Sequence, residues 1–160
     1  VWIIAHNRLL TQARMQRLNM TIQVNCNICD TGQETVNHLF SRCRYSQCIF
    51  EEIGDWCGIK HPAEECIKWW LHYRERSATK KKIVGVILAA CIYNLWNVRN
   101  VAKIELVVTN QKYVIWSIKN DVIRRIDNIE TKTERPDTRG WIELLKNGRD
   151  GLKKPYPNHI

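Results

Sequence analysis

Apolar residues recur at intervals of three and four positions through much of the chain, which is the spacing of one face of an α-helix. The clearest repeat follows Asn110, a candidate N-cap, and consists of Ile115, Ile118, Val122, Ile126 and Ile129. A second repeat runs from Leu39 to Trp56 and ends before Gly58, a favourable helix stop. No stretch alternates apolar and polar residues as a half-buried strand would. The pattern therefore predicts an all-α fold.

The longest predicted helix runs from about Lys80 to Glu105, with Ser77 or Thr79 as its N-cap. Its first half is apolar on nearly every side, which indicates the central helix of the core, with the other helices packed around it. The most apolar run, Ile83 to Tyr93, is shorter than the roughly 20 residues that cross a bilayer. We therefore predict a buried helix and no membrane partner.

Shorter helices are predicted on either side of the second repeat. Thr11 is a candidate N-cap for a short helix that turns Met15 and Leu18 inward and stops at Asn19. Pro62 suits the first position of a further helix, because its missing N–H costs nothing there. A cysteine-rich segment lies between these two elements.

Composition adds a direction for function. The sequence has 160 residues, of which 44% are hydrophobic, and its net charge is +9. The apolar content favours a folded protein, and the positive charge favours an anionic partner, with nucleic acid the first candidate. Residues 1–25 hold three arginines and no acid, and residues 80–110 hold five basic residues and one acid. A basic binding surface would combine these segments; a merely solvated basic face is the alternative.

The cysteine count bears on the compartment. There are seven cysteines, an odd number, and no signal peptide precedes them. This pattern favours a reduced intracellular location, nuclear or cytoplasmic, over secretion. In such a compartment clustered cysteines indicate metal ligands before disulfides.

Three of these cysteines and one histidine fall in CNICDTGQETVNHLFSRC, residues 26–43. The spacing is Cys-x2-Cys-x8-His-x4-Cys, and the candidate ligands are Cys26, Cys29, His38 and Cys43. Thiolates with imidazole are ligands typical of zinc, and four protein ligands leave no open position for water or substrate. The spacing therefore predicts a structural zinc ion. The alternative is four unrelated residues, with the cysteines acting as small buried hydrophobes.

The second ligand pair requires an irregular backbone. His38 and Cys43 are five residues apart, so on an ideal α-helix their side chains would diverge by roughly 140°. The helix must therefore be distorted or restarted between them. The first pair is simpler, because Asp30-Thr31-Gly32 supplies a turn signal directly after Cys29.

Other chemistry-bearing residues do not form a convincing constellation. A second metal site from Cys57, His61, Cys66 and His72 is interrupted by Pro62. Adjacent acid pairs such as Glu51 and Glu52 point apart on a helix and indicate a solvated face. No thiol has a recognisable base and orienting partner, and no glycine-rich phosphate loop is present. We therefore predict no catalytic residues and no enzymatic activity for this chain.

In combination, these motifs resemble the zinc-binding region of plant LINE-type (non-LTR) retrotransposon reverse transcriptases. The resemblance spans roughly residues 1–108 and rests on WIIAHNRLLTQARM, CNICDTGQETVNHLFSRC, GDWCGI and IYNLWNVRNVAKIE. The matching positions are Trp2, Asn7, Arg8, Leu9, Thr11, Cys26, Cys29, Glu34, Thr35, His38, Leu39, Phe40, Cys43, Trp96, Arg99 and Asn100. The polymerase's Asp-Asp pair does not occur in this chain, and no ribonuclease H domain is recognisable.

The resemblance, the helix pattern and the polar, glycine- and proline-rich sequence after Pro136 together predict a division of the chain, and the resemblance implies a partner. Residues 1–60 would be the zinc-binding region, 61–130 the helical remainder of the same module, and 131–160 a mostly flexible tail with a short helix at Trp141–Leu145. The module would grip template RNA or target DNA beside a reverse transcriptase core. From sign and position, the predicted phosphate contacts are Arg8, Arg14, Arg17, Arg42 and Arg44.

A protein-interaction role is the alternative function. A fragment of a larger protein exposes former interfaces, and exposed aromatic residues would mark them. The candidates are Trp56, Trp69, Trp70, Trp96 and Trp116. Under this alternative the module docks on the polymerase core or on another subunit.

Overall fold

Helices account for the regular structure of the described residues, as the apolar spacing predicts. The computed structural model describes residues 9–59, 72–127 and 136–148. Their helical segments are α1 (Gln12–Arg17), a π-helical turn (His38–Arg42), α2 (Arg44–Cys57), α3 (Ala78–Glu105), α4 (Gln111–Ile126) and α5 (Pro136–Asn147). The described residues form no strand beyond one isolated antiparallel bridge between Asn25 and Gln33. The all-α prediction is confirmed.

Local capping chemistry sets several helix ends where the sequence predicts them. The Ser77 hydroxyl accepts a hydrogen bond from the Lys80 N–H at the start of α3, and Asn110 Oδ1 accepts one from the Lys112 N–H at the start of α4. Gly58 ends α2 with a φ of 68°, in the left-handed region that favours glycine. Each of these ends depends on residues close in sequence, which is why periodicity and composition locate them.

The core is built around α3. It packs most extensively on α4, while α2 packs on α4, on the π-helical turn and on α3. The largest fully buried side chains come from all of these elements and include Phe40, Phe50, Ile53, Ile87, Leu95 and Ile118. Two hydrogen bonds also join these elements. Asn94 on α3 donates to Asp121 on α4 at 3.2 Å, and the hydroxyl of Tyr45 on α2 donates to the Thr109 carbonyl before α4 at 2.6 Å.

Helix α3 has the length and composition of a membrane span, and 56% of its most apolar window is buried inside the molecule. Its buried residues cover one broad face of the helix and include Ile83, Ile87, Cys91, Leu95 and Val98, which recur at intervals of four and three positions. The central helix of a packed core meets the same length and composition test. The position of α3 agrees with the predicted core helix.

The C-terminal helix is longer than the sequence predicts. The sequence predicts a mostly flexible tail over residues 131–160 with a short helix at 141–145, but α5 runs from Pro136 to Asn147 and buries Thr138, Ile142 and Leu145. The Trp141 indole donates to the Cys57 carbonyl at 2.8 Å, which joins α5 to the end of α2. Because the buried stripe of α5 is short, the sequence pattern alone indicates only a short helix. Contacts with the rest of the molecule stabilise the longer one.

Two further predictions near the N-terminus need correction. Leu18 is the C-cap of α1 and is 52% exposed, so it does not turn inward as Met15 does. Thr11 occupies the N-cap position, but its side chain makes no capping hydrogen bond. Asn19 does adopt the predicted left-handed conformation, with a φ of 56°. The predicted helix that begins at Pro62 lies outside the described residues.

Candidate metal centre

The first two cysteines project from a tight, irregular loop. Asn25 and Gln33 form the antiparallel bridge at its base, and the Cys26 N–H donates to the Gly32 carbonyl at 3.1 Å. The loop reverses through Asp30 and Gly32, whose φ values of 53° and 69° are left-handed. The predicted turn after Cys29 is therefore present. It places both thiols on the same side of the loop, within reach of a single ion.

The turn gives a prediction that separates backbone strain from crowding. A methyl group at Gly32 would meet only the His38 ring, at 3.6 Å, so Gly32→Ala adds little steric overlap. Left-handed backbone still costs an L-residue about 1–2 kcal/mol, and we expect that loss in denaturant unfolding. Gly85→Ala is the matched control, because Gly85 lies in α3 with nothing near its Cβ position; it should stabilise by about 0.5–1 kcal/mol. Equal effects from the two substitutions would contradict the role of the turn.

The second ligand pair comes from the π-helical turn. The Thr35 hydroxyl accepts from the His38 N–H at 3.0 Å and so starts this segment. The Cys43 N–H then donates to the His38 carbonyl at 2.7 Å, a bond that spans five residues instead of four. Helix α2 restarts at Arg44 with Cys43 as its extended N-cap. The predicted distortion between His38 and Cys43 therefore exists, and it brings residues five apart onto one side.

The four predicted ligands converge. The sulfurs of Cys26, Cys29 and Cys43 and one ring nitrogen of His38 all lie within 4.8 Å of one another. Cys29 Sγ is 3.3 Å from His38 Nε2. A tetrahedral zinc ion with bonds of about 2.3 Å to sulfur would separate its sulfur ligands by about 3.8 Å. Size and donor type therefore fit zinc, and four protein ligands complete its shell.

The side chains of the cluster also shift one another's protonation. A hydrogen bond between the Cys26 and Cys43 thiols, together with burial, raises the pKa of Cys26, and the same bond lowers the pKa of Cys43. Burial lowers the pKa of His38, so its imidazole is neutral near pH 7 and keeps a lone pair. Metal binding requires thiolates and neutral imidazole, so zinc would take the place of the proton between the sulfurs.

A buried ion pair lies next to this centre, and the sequence does not predict it. The Glu34 carboxylate, fully buried, accepts from Arg99 Nη2 at 2.7 Å and from Arg99 Nε at 2.9 Å. It also accepts from the Gln12 N–H at 2.9 Å, and from the N–H and amide of Asn27 at 3.2 and 2.8 Å. One carboxylate thus joins the start of α1, the cysteine loop and α3.

Several of the residues that carry the family resemblance make contacts in this arrangement. Glu34 takes the capping role predicted for Thr11, since its carboxylate and its carbonyl accept from the first N–H groups of α1. Arg99 lies 4.9 Å from the centroid of the Trp96 ring and donates to Asn100 at 3.2 Å. Glu34 and the Trp-x-x-Arg-Asn run are therefore the sequence features from which the ion pair could be suspected. Their pairing is nonlocal and could not be inferred from either run alone.

The described residues of the alternative site, Cys57 and His72, do not belong to the ligand cluster. Within the described parts of the chain, the group of cysteine, histidine and acidic side chains close enough together to hold a metal ion is the four-residue cluster. Burial raises the pKa of Cys57 to about 11, so this thiol stays protonated, as expected of a core residue. His61 and Cys66 of the alternative site lie outside the described residues.

The predicted phosphate-contacting arginines have different environments. Arg42 and Arg44 flank Cys43 and are exposed, and Arg17 is exposed while its Nε donates to the Ala13 carbonyl at 3.3 Å. Arg14 is half-buried. Arg8 lies outside the described residues. The arginines beside the metal ligands are thus accessible to solvent, and their contact with nucleic acid stays a prediction.

Comparison with protein families identifies the N-terminal part. Residues 1–50 match the family model described as zinc-binding in reverse transcriptase. The match contains all four ligands, Glu34 and the start of α2, and it covers less than a third of the chain. Searches of curated proteins and of solved structures gave no match. The family description and the Cys3His cluster together support a zinc-binding module, of the kind associated with reverse transcriptases, in the N-terminal part of the chain.

Proposed function

We propose that this chain is a non-catalytic, zinc-stabilised module that binds RNA or DNA through the phosphate backbone. It would act as the C-terminal accessory region of a retrotransposon reverse transcriptase of the plant LINE type, and would grip template RNA or target DNA. The observation that carries the proposal is the coincidence of the family match with the closed ligand cluster. A full shell leaves the ion structural, so the function must lie in the surface that it supports.

The positive charge of the surface around the ligand cluster favours the binding of a polyanion. Arg42 and Arg44 are exposed on either side of the ligand Cys43, and Arg17 is exposed on α1. The whole sequence carries a net charge of +9. Neutralisation of phosphates by such side chains releases counterions, and this supplies most of the free energy of nonspecific nucleic-acid binding.

We expect zinc-loaded protein to bind single-stranded RNA and duplex DNA with an affinity that falls steeply with salt. A log–log plot of affinity against salt concentration should be linear, with a slope of about −0.7 to −0.9 per neutralised phosphate. Fluorescence anisotropy with labelled oligonucleotides measures this slope. The proposal fails if zinc-loaded, folded protein binds neither nucleic acid at about 50 mM salt, where such interactions are strongest.

A second function, docking on the polymerase core or another subunit, is favoured by exposed aliphatic residues. Ile22 is 98% exposed and Leu106 is 86% exposed, and such side chains mark an interface where they belong to a contiguous apolar patch. The described tryptophans fit this role less well than predicted, because Trp56, Trp96 and Trp116 are half-buried. Trp69 and Trp70 lie outside the described residues. A pull-down with a reverse transcriptase core, compared with an Ile22→Ser and Leu106→Ser variant, tests this function.

A further inference from the structure

A dense group of positive charges lies far from the zinc centre, at the beginning of α3. Residues 72–82 contain five basic side chains and one acidic side chain. Arg74, Arg76, Lys81 and Lys82 are all exposed. We name these four residues the α3 N-terminal basic surface. Four exposed cations within nine residues form a denser positive group than the arginines around the metal ligands.

The acidic residue of this stretch does not neutralise the surface. The Glu75 carboxylate accepts from the N–H groups of Arg76 and Ser77, at 2.7 and 3.4 Å, and from the Tyr73 hydroxyl at 3.3 Å. Its ion pair is with Lys80, at 3.6 Å. Glu75 thus shapes the turn before α3 and offsets the charge of Lys80. Among the described residues, the four cations of the basic surface form no ion pair with an acidic side chain.

The placement of these charges is unfavourable for the isolated helix. The first turn of α3 contains no acidic residue, and Lys80, Lys81 and Lys82 stand where the positive end of the helix dipole already lies. The N-cap is supplied by the Ser77 hydroxyl, so Lys81 and Lys82 have no capping role at this end of the helix. A bound polyanion would relieve both the mutual repulsion of the cations and their repulsion from the dipole.

The surface also has a concave part. His72, Tyr73, Arg74, Glu75 and Lys81 line one open depression. Tyr73 packs partly against the core, so its ring is held in place. An aromatic ring beside cations is the combination that single-stranded nucleic acids use, with bases stacked on the ring and phosphates on the charges.

The surface and the zinc centre occupy different parts of α3. Lys81 precedes Arg99 by eighteen positions on this continuous helix, and Arg99 contacts Glu34 beside the metal ligands. At 1.5 Å per residue the two positions are about 27 Å apart along the axis. Binding at the basic surface is therefore separable by mutation from binding at the arginines near the cluster.

We propose that the α3 N-terminal basic surface is the principal phosphate-binding surface of the chain. This inference rests on the proposed nucleic-acid-binding function and moves its main site away from the arginines beside the zinc ligands. The ligand is the phosphodiester backbone of a nucleic acid, with Tyr73 available to stack on an unpaired base. Single-stranded RNA is therefore expected to bind more tightly than duplex DNA.

The test compares three variants of equal charge change in the full, zinc-loaded chain. The first replaces the surface with glutamine at Arg74, Arg76, Lys81 and Lys82. The matched control does the same at four exposed basic residues of α4 and α5, namely Lys112, Arg124, Arg125 and Arg139. The third does so at Arg14, Arg17, Arg42 and Arg44. Anisotropy with labelled RNA and DNA is measured over a salt series, and circular dichroism checks the fold of each variant.

We expect the affinity of the first variant to fall at least about tenfold at low salt. The magnitude of its salt slope should decrease by about 0.7–0.9 for each phosphate that the variant no longer neutralises. The affinity of the control variant should change by less than a third of the fold-decrease measured for the first variant. If the quadruple variant folds poorly, the double variant Lys81→Gln with Lys82→Gln, on the exposed face of α3, is measured in its place. Its affinity should fall in the same direction by a smaller factor.

Two results would overturn the inference alone: an equal decrease in the control, or a decrease confined to the variant of the arginines near the cluster. In both cases the wild-type chain still binds, and the proposed function stands. If the folded wild-type chain binds neither nucleic acid, the proposed function and this inference fall together. Tighter binding to duplex DNA than to RNA would contradict the stacking role of Tyr73.

Discussion

Removal of zinc by a chelator is expected to unfold the N-terminal part of this protein and to weaken its whole core. Structural zinc contributes roughly 10–16 kcal/mol of apparent binding free energy, which is as large as the stability of a typical domain. The ligands Cys26 and Cys43 are buried within the main hydrophobic cluster, next to Leu39 and Phe40. Loss of the ion would leave thiols that repel one another as they ionise and a π-helical turn without its anchor.

Serine substitution tests the same expectation one ligand at a time. Cys26→Ser or Cys43→Ser should lower the zinc content well below one ion per chain and remove the cooperative thermal transition. Cys48→Ser is the matched control, because Cys48 is half-buried on α2 and does not belong to the ligand cluster. It should retain full zinc content. Metal analysis with circular dichroism measures both effects, and a Cys26→Ser protein that keeps one zinc and its melting temperature would refute the ligand assignment.

Loss of the Arg99 side chain is expected to be the second largest effect. Arg99→Met would leave the Glu34 carboxylate buried without its cation, and such a change typically costs about 3–5 kcal/mol. Glu34 also holds Asn27 and the start of α1, so zinc affinity should fall with stability. Denaturant unfolding of the zinc-loaded protein gives the decrease in free energy, and a competition titration with a chromophoric chelator gives the change in zinc affinity.

A double-mutant cycle distinguishes the ion pair from general packing. Replacement of both partners, Glu34→Gln with Arg99→Met, removes the unpaired charge and should cost less than Arg99→Met alone. Arg125→Met is the control for loss of an arginine at an exposed position on α4, and it should change stability by less than about 0.5 kcal/mol. Additive costs for the two partners would show that Glu34 and Arg99 act independently.

Features governed by neighbouring residues are predictable from the sequence. Ser77, Asn110 and Gly58 end or begin helices through bonds and dihedral angles within a few positions of themselves. The four ligands are predictable for a similar reason, since the x2 spacing fits one turn and the x4 spacing requires a distorted one. The π-helical turn satisfies that requirement in a form that periodicity alone does not specify.

Features governed by distant residues are not predictable in this way. Glu34 and Arg99 are 65 positions apart, and each has a plausible exposed alternative in its own segment. The extent of α5 depends on Trp141 reaching the end of α2, 84 positions earlier. The orientation of Leu18 likewise depends on what lies beside α1, which a single amphipathic turn does not encode. Long-range pairing decides these positions, and it leaves no periodic trace in the sequence.

The buried pair of Glu34 and Arg99 also determines whether the zinc segment is portable. A graft of residues 1–50 onto an unrelated helical scaffold would carry the Glu34 carboxylate into an apolar interior without a guanidinium to receive it. Leu39 and Phe40, which are fully buried here, would lose the helices that cover them. A functional chimera would therefore need to include α3 as well. The unit that can be exchanged between proteins extends well past the end of the family match.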